Sequence, residues 1–221
     1  MGKEIEIKLA APDAAALEAV GADARVEAAR TGAWQEIRMV TEYLDTPDRA
    51  IAARKWTLRR RTENGEAVYT IKTPGDGYAR GEWESRKEGL HEAVRELVRL
   101  GAPGELAELA ARGVSRTCGV EFLRRTAELT LDGTRCALCL DDGMLLGAAR
   151  RRPFCEVELE LVSGEAAPML AFAAYLQEHH ALREERKSKF VRASELVDET
   201  CVFRDFLIQY VQSTVRRGGL Q

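Results

Sequence analysis

Glu4-Ile5-Glu6-Ile7-Lys8-Leu9 and Glu156-Val157-Glu158-Leu159-Glu160-Leu161 alternate charged and aliphatic residues one for one. A period of two is the signature of a half-buried strand. It puts the charged side chains of each segment on one face and the aliphatic ones on the other. A single strand with a charged face is what solvent ordinarily favours, so the argument rests on repetition. Trp56-Thr57-Leu58-Arg59-Arg60-Arg61 sets Arg59 and Arg61 opposite Trp56 and Leu58, and Tyr69-Thr70-Ile71-Lys72 sets Thr70 and Lys72 opposite Tyr69 and Ile71. Arg80-Gly81-Glu82-Trp83-Glu84-Ser85-Arg86 has ionic residues at every even position. From Phe122 to Asp132, Arg124, Thr126, Glu128, Thr130 and Asp132 share one parity, and Arg125 breaks the register, leaving open which of Arg124 and Arg125 takes the ionic face.

Carboxylates collect in the first, fifth and last of these strands and cations in those between. A closed antiparallel barrel would turn such faces inward, and a lumen lined by both signs suits a polyanion held by arginines and metal ions.

These elements resemble, in order, those of CYTH proteins, the triphosphate tunnel metalloenzymes: Glu4-x-Glu6-x-Lys8, Tyr43-Leu44-Asp45-Thr46, Leu58-Arg59-x-Arg61, Thr70-x-Lys72, Arg80-x-Glu82-x-Glu84 and Glu156-x-Glu158. The resemblance covers roughly residues 3 to 192. Phe122-x-Arg124, Leu140-Asp141-Asp142-Gly143, Glu156-x-Glu158-x-Glu160-Leu161 and Ser188-Lys189 look most similar to bacterial inorganic triphosphatases. It implies an α+β fold, a closed eight-stranded antiparallel barrel with peripheral helices, over residues 1–192. Residues 193–221 lie beyond most of the resemblance, and their apolar residues at Leu196, Val197, Val202, Phe203, Phe206, Leu207, Tyr210 and Val211 read as a C-terminal amphipathic helix that packs on the barrel or forms a dimer contact. The chain departs from the family at Gly147, where Ala148-Ala149-Arg150-Arg151-Arg152-Pro153 replaces a shorter Gly-aromatic-Glu step with a long basic turn.

The chemistry expected from that resemblance is hydrolysis of inorganic triphosphate or a related compound, with Mg²⁺ or Mn²⁺, one or two ions. Guanidinium forks match phosphate oxygens in pairs and a lysine adds a point charge, so Arg59, Arg61, Lys72 and Arg124 are the expected clamps, joined by Lys189. Carboxylates are the hard oxygen ligands such ions prefer. Glu4, Glu6 and Glu158 are expected at the principal metal, with Glu156, Glu82 and Glu84 around a second metal or the attacking water. Lys8 shares the face of Glu4 and Glu6, where it contacts phosphate, tunes their ionisation or forms a structural ion pair. Two alternatives share this tunnel: an adenylate cyclase making cyclic AMP and pyrophosphate, and a non-catalytic binder of triphosphorylated nucleotides or polyphosphate. No base pocket is legible, and Trp56 and Trp83 lie on the apolar parity.

Length and composition bound the rest. A chain of 221 residues is most economically one domain, and 31% charged residues exceeds the usual fraction of about a quarter. A net charge of −3 does not favour nucleic acid. With five cysteines, no secretory signal and no apolar stretch near 18 residues, the expectation is a cytoplasmic protein with reduced thiols, no membrane partner and a small-molecule substrate, and with a homodimer open. Cys136 and Cys139 have zinc-like spacing but would face opposite sides of a strand, and His179-His180 reads as a helix C-terminus. Helices are expected over Pro12 to Val20, over His91 to Ala111 with a break at Gly101 to Gly104, and over Pro168 to His180.

Overall fold

The computed structural model describes residues 5–74 and 81–197. Nine strands form one antiparallel sheet: β1 (Glu6–Ala11), β2 (Arg30–Asp45), β3 (Thr57–Glu63), β4 (Glu66–Thr73), β5 (Gly81–Ser85), β6 (Ser115–Leu131), β7 (Thr134–Leu146), β8 (Arg151–Ser163) and β9 (Arg183–Glu184). Their spatial order is β5-β4-β3-β2-β6-β7-β8-β1-β9. The expectation of a closed eight-stranded barrel is thereby corrected. The sheet is open, with β5 and β9 as edges that do not pair with each other. Closure needs a ladder along a seam, and these edges offer strands of only five and two residues.

The alternation seen in the sequence sorts side chains onto two faces as expected. Behind β6, β7, β8 and β1 a core of Leu9, Leu129, Leu138, Val157 and Leu159 packs against α1 (Ala14–Gly21), α2 (Ala24–Ala29) and α6 (Ala166–His179). Behind β3 to β5, Leu58, Tyr69 and Ile71 meet α3 (Ala50–Ala53), α4 (Leu90–Arg99) and α5 (Glu105–Ala111), with Trp56 and Trp83 packed alongside. Each helix contributes an apolar stripe such as Val94 and Leu97, which supplies most of the reason a segment this short stays helical.

The three expected helical regions are present. The short α2 and α3 carry too little period to be read from sequence. Asp23 fixes the start of α2, its Oδ1 accepting from the Arg25 and Val26 amides at 2.8 and 3.3 Å. His180 and Tyr175 at the end of α6 bond Oδ2 of the same aspartate at 2.9 and 3.0 Å, so the histidine ties two helices together.

A third core lies on the ionic face. The last described segment, α7 (189–197), lays Ala193, Leu196 and Val197 on Met39, Tyr43, Val120, Phe122, Leu145 and Phe154. The remainder of the expected C-terminal helix lies outside the described residues. Gly143 sits between Phe122 and Phe154 across the ladder. A Cβ there would come within 2.3 Å of Phe122 Cβ, so only glycine lets the two rings meet edge to face over it, centroids 5.9 Å apart. Of the basic run, Arg150 lies in the β7–β8 turn, whereas Arg151 and Arg152 already belong to β8.

Candidate metal and phosphate site

Three strands in direct register build the anionic end of the ionic face. Arg124 of β6 lies opposite Asp141 of β7, which lies opposite Glu156 of β8, and Cys139 lies opposite Glu158 one pleat further on. Directly opposed residues project to the same side. Ligand oxygens of Asp141, Glu156 and Glu158 therefore fall within 4.8 Å of one another, a spacing that suits a shared cation. Asp141 and Glu156 have no exposed surface and the Glu158 side chain keeps 12%.

Cations crowd this trio. The Arg124 fork donates through Nε and Nη2 to the two Asp141 oxygens, each at 2.7 Å, and also reaches Glu158. Lys189 Nζ is 2.8 Å from Asp141 Oδ2 and 2.6 Å from Glu158 Oε1, and it also bonds Glu156. Arg192, one turn on in α7, bonds Glu156. Both α7 cations and Arg124 lie over the Phe122 and Phe154 rings at 5.3–5.5 Å, where the negative ring faces favour them. Burial tends to raise Glu158, but Lys189 and Arg124 outweigh it and hold this carboxyl well below the usual range. Burial dominates at its partner Glu156 and pushes it up, against the pull of Lys189 and Arg192. Burial would lower Lys189, and the three carboxylates more than reverse that.

The cationic end lies on β3 to β5. Lys72 Nζ is 3.0 Å from Glu82, Arg59 is 3.7 Å from Glu82 and 3.9 Å from Glu84, and Thr70 donates to Glu84 at 3.2 Å. Arg61 bonds Glu63 at 2.6 Å. Among the described residues, the Nε atoms of Arg59 and Arg61 are buried and have no hydrogen-bond partner. Such donors are rare because each forfeits its hydration without compensation. Burial lowers the Arg61 pKa, and the neighbouring charges of Arg59 and Arg124 lower it further, against the opposing pull of Glu63 and Glu84.

The structure thus gathers Arg59, Arg61, Lys72, Glu82 and Glu84 at one end of the face and Arg124, Glu156, Glu158 and Lys189 at the other. Glu4 lies outside the described residues. Glu6 is exposed and stands opposite Glu160, while Lys8 stands opposite Glu158. Of the three carboxylates expected at the principal metal, Glu158 belongs to the trio, whose other members are Asp141 and Glu156. Asp141 and Arg192 were given no role by the sequence. The parity of Asp141 with Cys139 could have flagged the first, but Arg192 sits on a helix whose approach to the sheet is invisible in the sequence. Arg125, for its part, faces the helices: it bonds Glu18 of α1 at 2.7 Å and lies 5.1 Å over Trp34. Cys136 is in the helix-backed core and Cys139 on the ionic face, 3.3 Å from Thr126 Oγ1.

Residues 2–194 match the CYTH domain, so the chain belongs to the CYTH family, the triphosphate tunnel metalloenzymes. A structure from Hippeastrum, proposed as an adenylyl cyclase and described as having a dominant triphosphatase activity, is similar at a TM-score of 0.61 and 16% identity, over 88% of this chain and 96% of that one. A protein from Bacillus halodurans proposed as an adenylate cyclase gives 0.49 at 18% identity, over 85% and 96%. The inorganic triphosphatase NE1496 gives 0.33 at 22%, over 76% and 79%. Of these three, only the first score speaks for the fold. Family membership together with the buried carboxylate trio supports metal-dependent phosphohydrolase chemistry. No described helix is long and apolar enough to cross a membrane.

Proposed function

We propose that the protein hydrolyses inorganic triphosphate, or a closely related triphosphate compound, with the help of Mg²⁺ or Mn²⁺. The observation that carries this reading is the pairing, on one sheet face, of an oxygen trio with two arginines, Arg59 and Arg61, whose buried Nε donors have no hydrogen-bond partner among the described residues. A triphosphate brings several negative charges and many acceptor oxygens, the complement of Arg59, Arg61 and Lys72. The residues fit a divalent ion: Asp141, Glu156 and Glu158 offer hard oxygens at shared-ligand spacing, and Glu4 and Glu6 belong to the same proposed set. Such an ion would supply Lewis-acid polarisation of a phosphoryl oxygen. Arg59, Arg61 and Arg124 hold and orient the anion, and Lys72 and Lys8 add point charges. Glu82 and Glu84 keep Arg59 and Lys72 in place and are the carboxylates positioned to take a proton from the attacking water.

The cyclase alternative needs a place for a base. Cyclic AMP formed from ATP is the product that separates that alternative from hydrolysis. The deciding experiment is a release assay with the purified chain on triphosphate, ATP, thiamine triphosphate and long polyphosphate, each with Mg²⁺ and with Mn²⁺. Orthophosphate is expected fastest from triphosphate. Cyclic AMP from ATP, or no product from any of the four, would replace this reading.

A further inference from the structure

The trio is met by one cation for each carboxylate, and Arg192 also reaches Glu185 at 3.6 Å. Asp141, Glu156 and Glu158 contribute three carboxylates, and Arg124, Lys189 and Arg192 contribute three cations that all contact them. Among the described residues, Lys189 is the group that touches all three carboxylates. An ammonium has three N–H donors, and here each finds one carboxylate. Its side chain is 12% exposed, so water screens these contacts little. Lys189 therefore stands where a cation common to the trio would stand. The helix that carries it is anchored separately, by Phe190, Ala193, Leu196 and Val197 in the third core, so the lysine head can leave the trio while α7 stays docked.

From this we infer that Lys189 is a resident counter-cation that makes divalent-ion binding at the trio depend on the arrival of a polyanion. A divalent ion coming alone meets a compensated, poorly solvated cluster and must either evict Lys189 or add two positive charges beside it. A bound triphosphate offers Lys189 and Arg124 new acceptors and releases the carboxylates. The buried, unpartnered Nε donors of Arg59 and Arg61 on the same face offer such an anion further hydrogen bonds. Linkage then requires that each ligand strengthen the other by the same factor. This inference rests on the proposed function for the identity of the anion, but not for the behaviour of the lysine.

Titration calorimetry of the whole chain with Mn²⁺, with and without a methylene-bridged triphosphate analogue, separates the two. Wild type is expected to bind Mn²⁺ about tenfold or more tightly with the analogue than without it. Lys189→Gln, which keeps length and loses charge, is expected to bind Mn²⁺ alone about tenfold more tightly than wild type and to lose most of the coupling. Arg192→Gln, whose guanidinium reaches only Glu156 of the trio, should change the Mn²⁺-alone affinity less. If Lys189→Gln is unfolded by itself, millimolar Mn²⁺ should restore its circular dichroism where the same ionic strength of NaCl does not. Mn²⁺ affinity no higher in Lys189→Gln than in wild type, or failure of Mn²⁺ to refold the variant, overturns the inference. Absence of analogue binding to any variant would instead remove the triphosphate reading and leave the Mn²⁺-alone comparison standing.

Discussion

Asp141 has no exposed surface, accepts both arms of the Arg124 fork and is touched by Lys189. Removing one partner from such a cluster strands buried charge, which typically costs about 3–5 kcal/mol. Asp141→Ala is expected to lose stability on that scale in urea titrations, and an unchanged midpoint would show that the cluster is solvated. Arg59 stands in a different position, with a buried Nε that lacks a partner among the described residues and an Nη2 3.7 and 3.9 Å from Glu82 and Glu84. Arg59→Ala should therefore leave the fold largely intact while weakening binding of a triphosphate analogue by about 1.5–3 kcal/mol, the range for a charged hydrogen bond. An equal dissociation constant would remove it from the anion site. For Glu6, which lies on the ionic face opposite Glu160, Glu6→Gln tests the remaining metal assignment. Turnover is expected to fall sharply with the melting temperature unchanged, and full activity would leave the ion to Asp141, Glu156 and Glu158 alone.

At the level of elements, α7 and α2 show two ways a short helix is held. Leu196 of α7 is 2% exposed and packs in the third core, with the Gly147 backbone pressed against it. Leu196→Ala should cost about 2–5 kcal/mol, the usual range for a buried leucine. If α7 is what holds Lys189 over the trio, the same variant should bind Mn²⁺ more tightly in the absence of analogue. For α2, burial raises the Asp23 pKa, but His180, the Arg25 amide and Tyr175 outweigh it, so Asp23 titrates below its ordinary value of 3.8. A depressed carboxylate contributes stability that is complete above the unfolded pKa and is lost as pH falls through the folded one. Wild type should accordingly lose stability below about pH 4, and Asp23→Asn should be less stable at neutrality with a flatter acid limb. Parallel acid limbs in the two proteins would contradict this.

Across the described residues, one face of the sheet is apolar and covered by helices, and the other carries paired acids and bases along the strand order, with α7 docked on it over a third core. Ligands that bind the folded face and not the unfolded chain must raise the melting temperature. Triphosphate with Mg²⁺ is expected to raise it more than the sum of either alone, and a melting temperature indifferent to both at millimolar concentration would place the ionic face outside any binding role.

Which side chains share a face follows from the sequence, because a strand has a fixed period of two: Arg59 with Arg61, Glu82 with Glu84, and Glu156 with Glu158 needed no tertiary information. The break at Arg125 was legible too, but not its meaning, since only the packing of α1 brings Glu18 to it. Strand order and closure were out of reach, because they depend on which backbone edges meet. The long β2 joins two halves of the sheet, and edges of five and two residues leave it open. The trio was half legible: Glu156 and Glu158 announce themselves by alternation, whereas Asp141 earns its place through cross-strand register. Tertiary structure alone decided that α7 lies on the ionic face, because an apolar stripe specifies that a helix must be covered and does not specify by what. That docking is what sets Lys189 and Arg192 among the carboxylates.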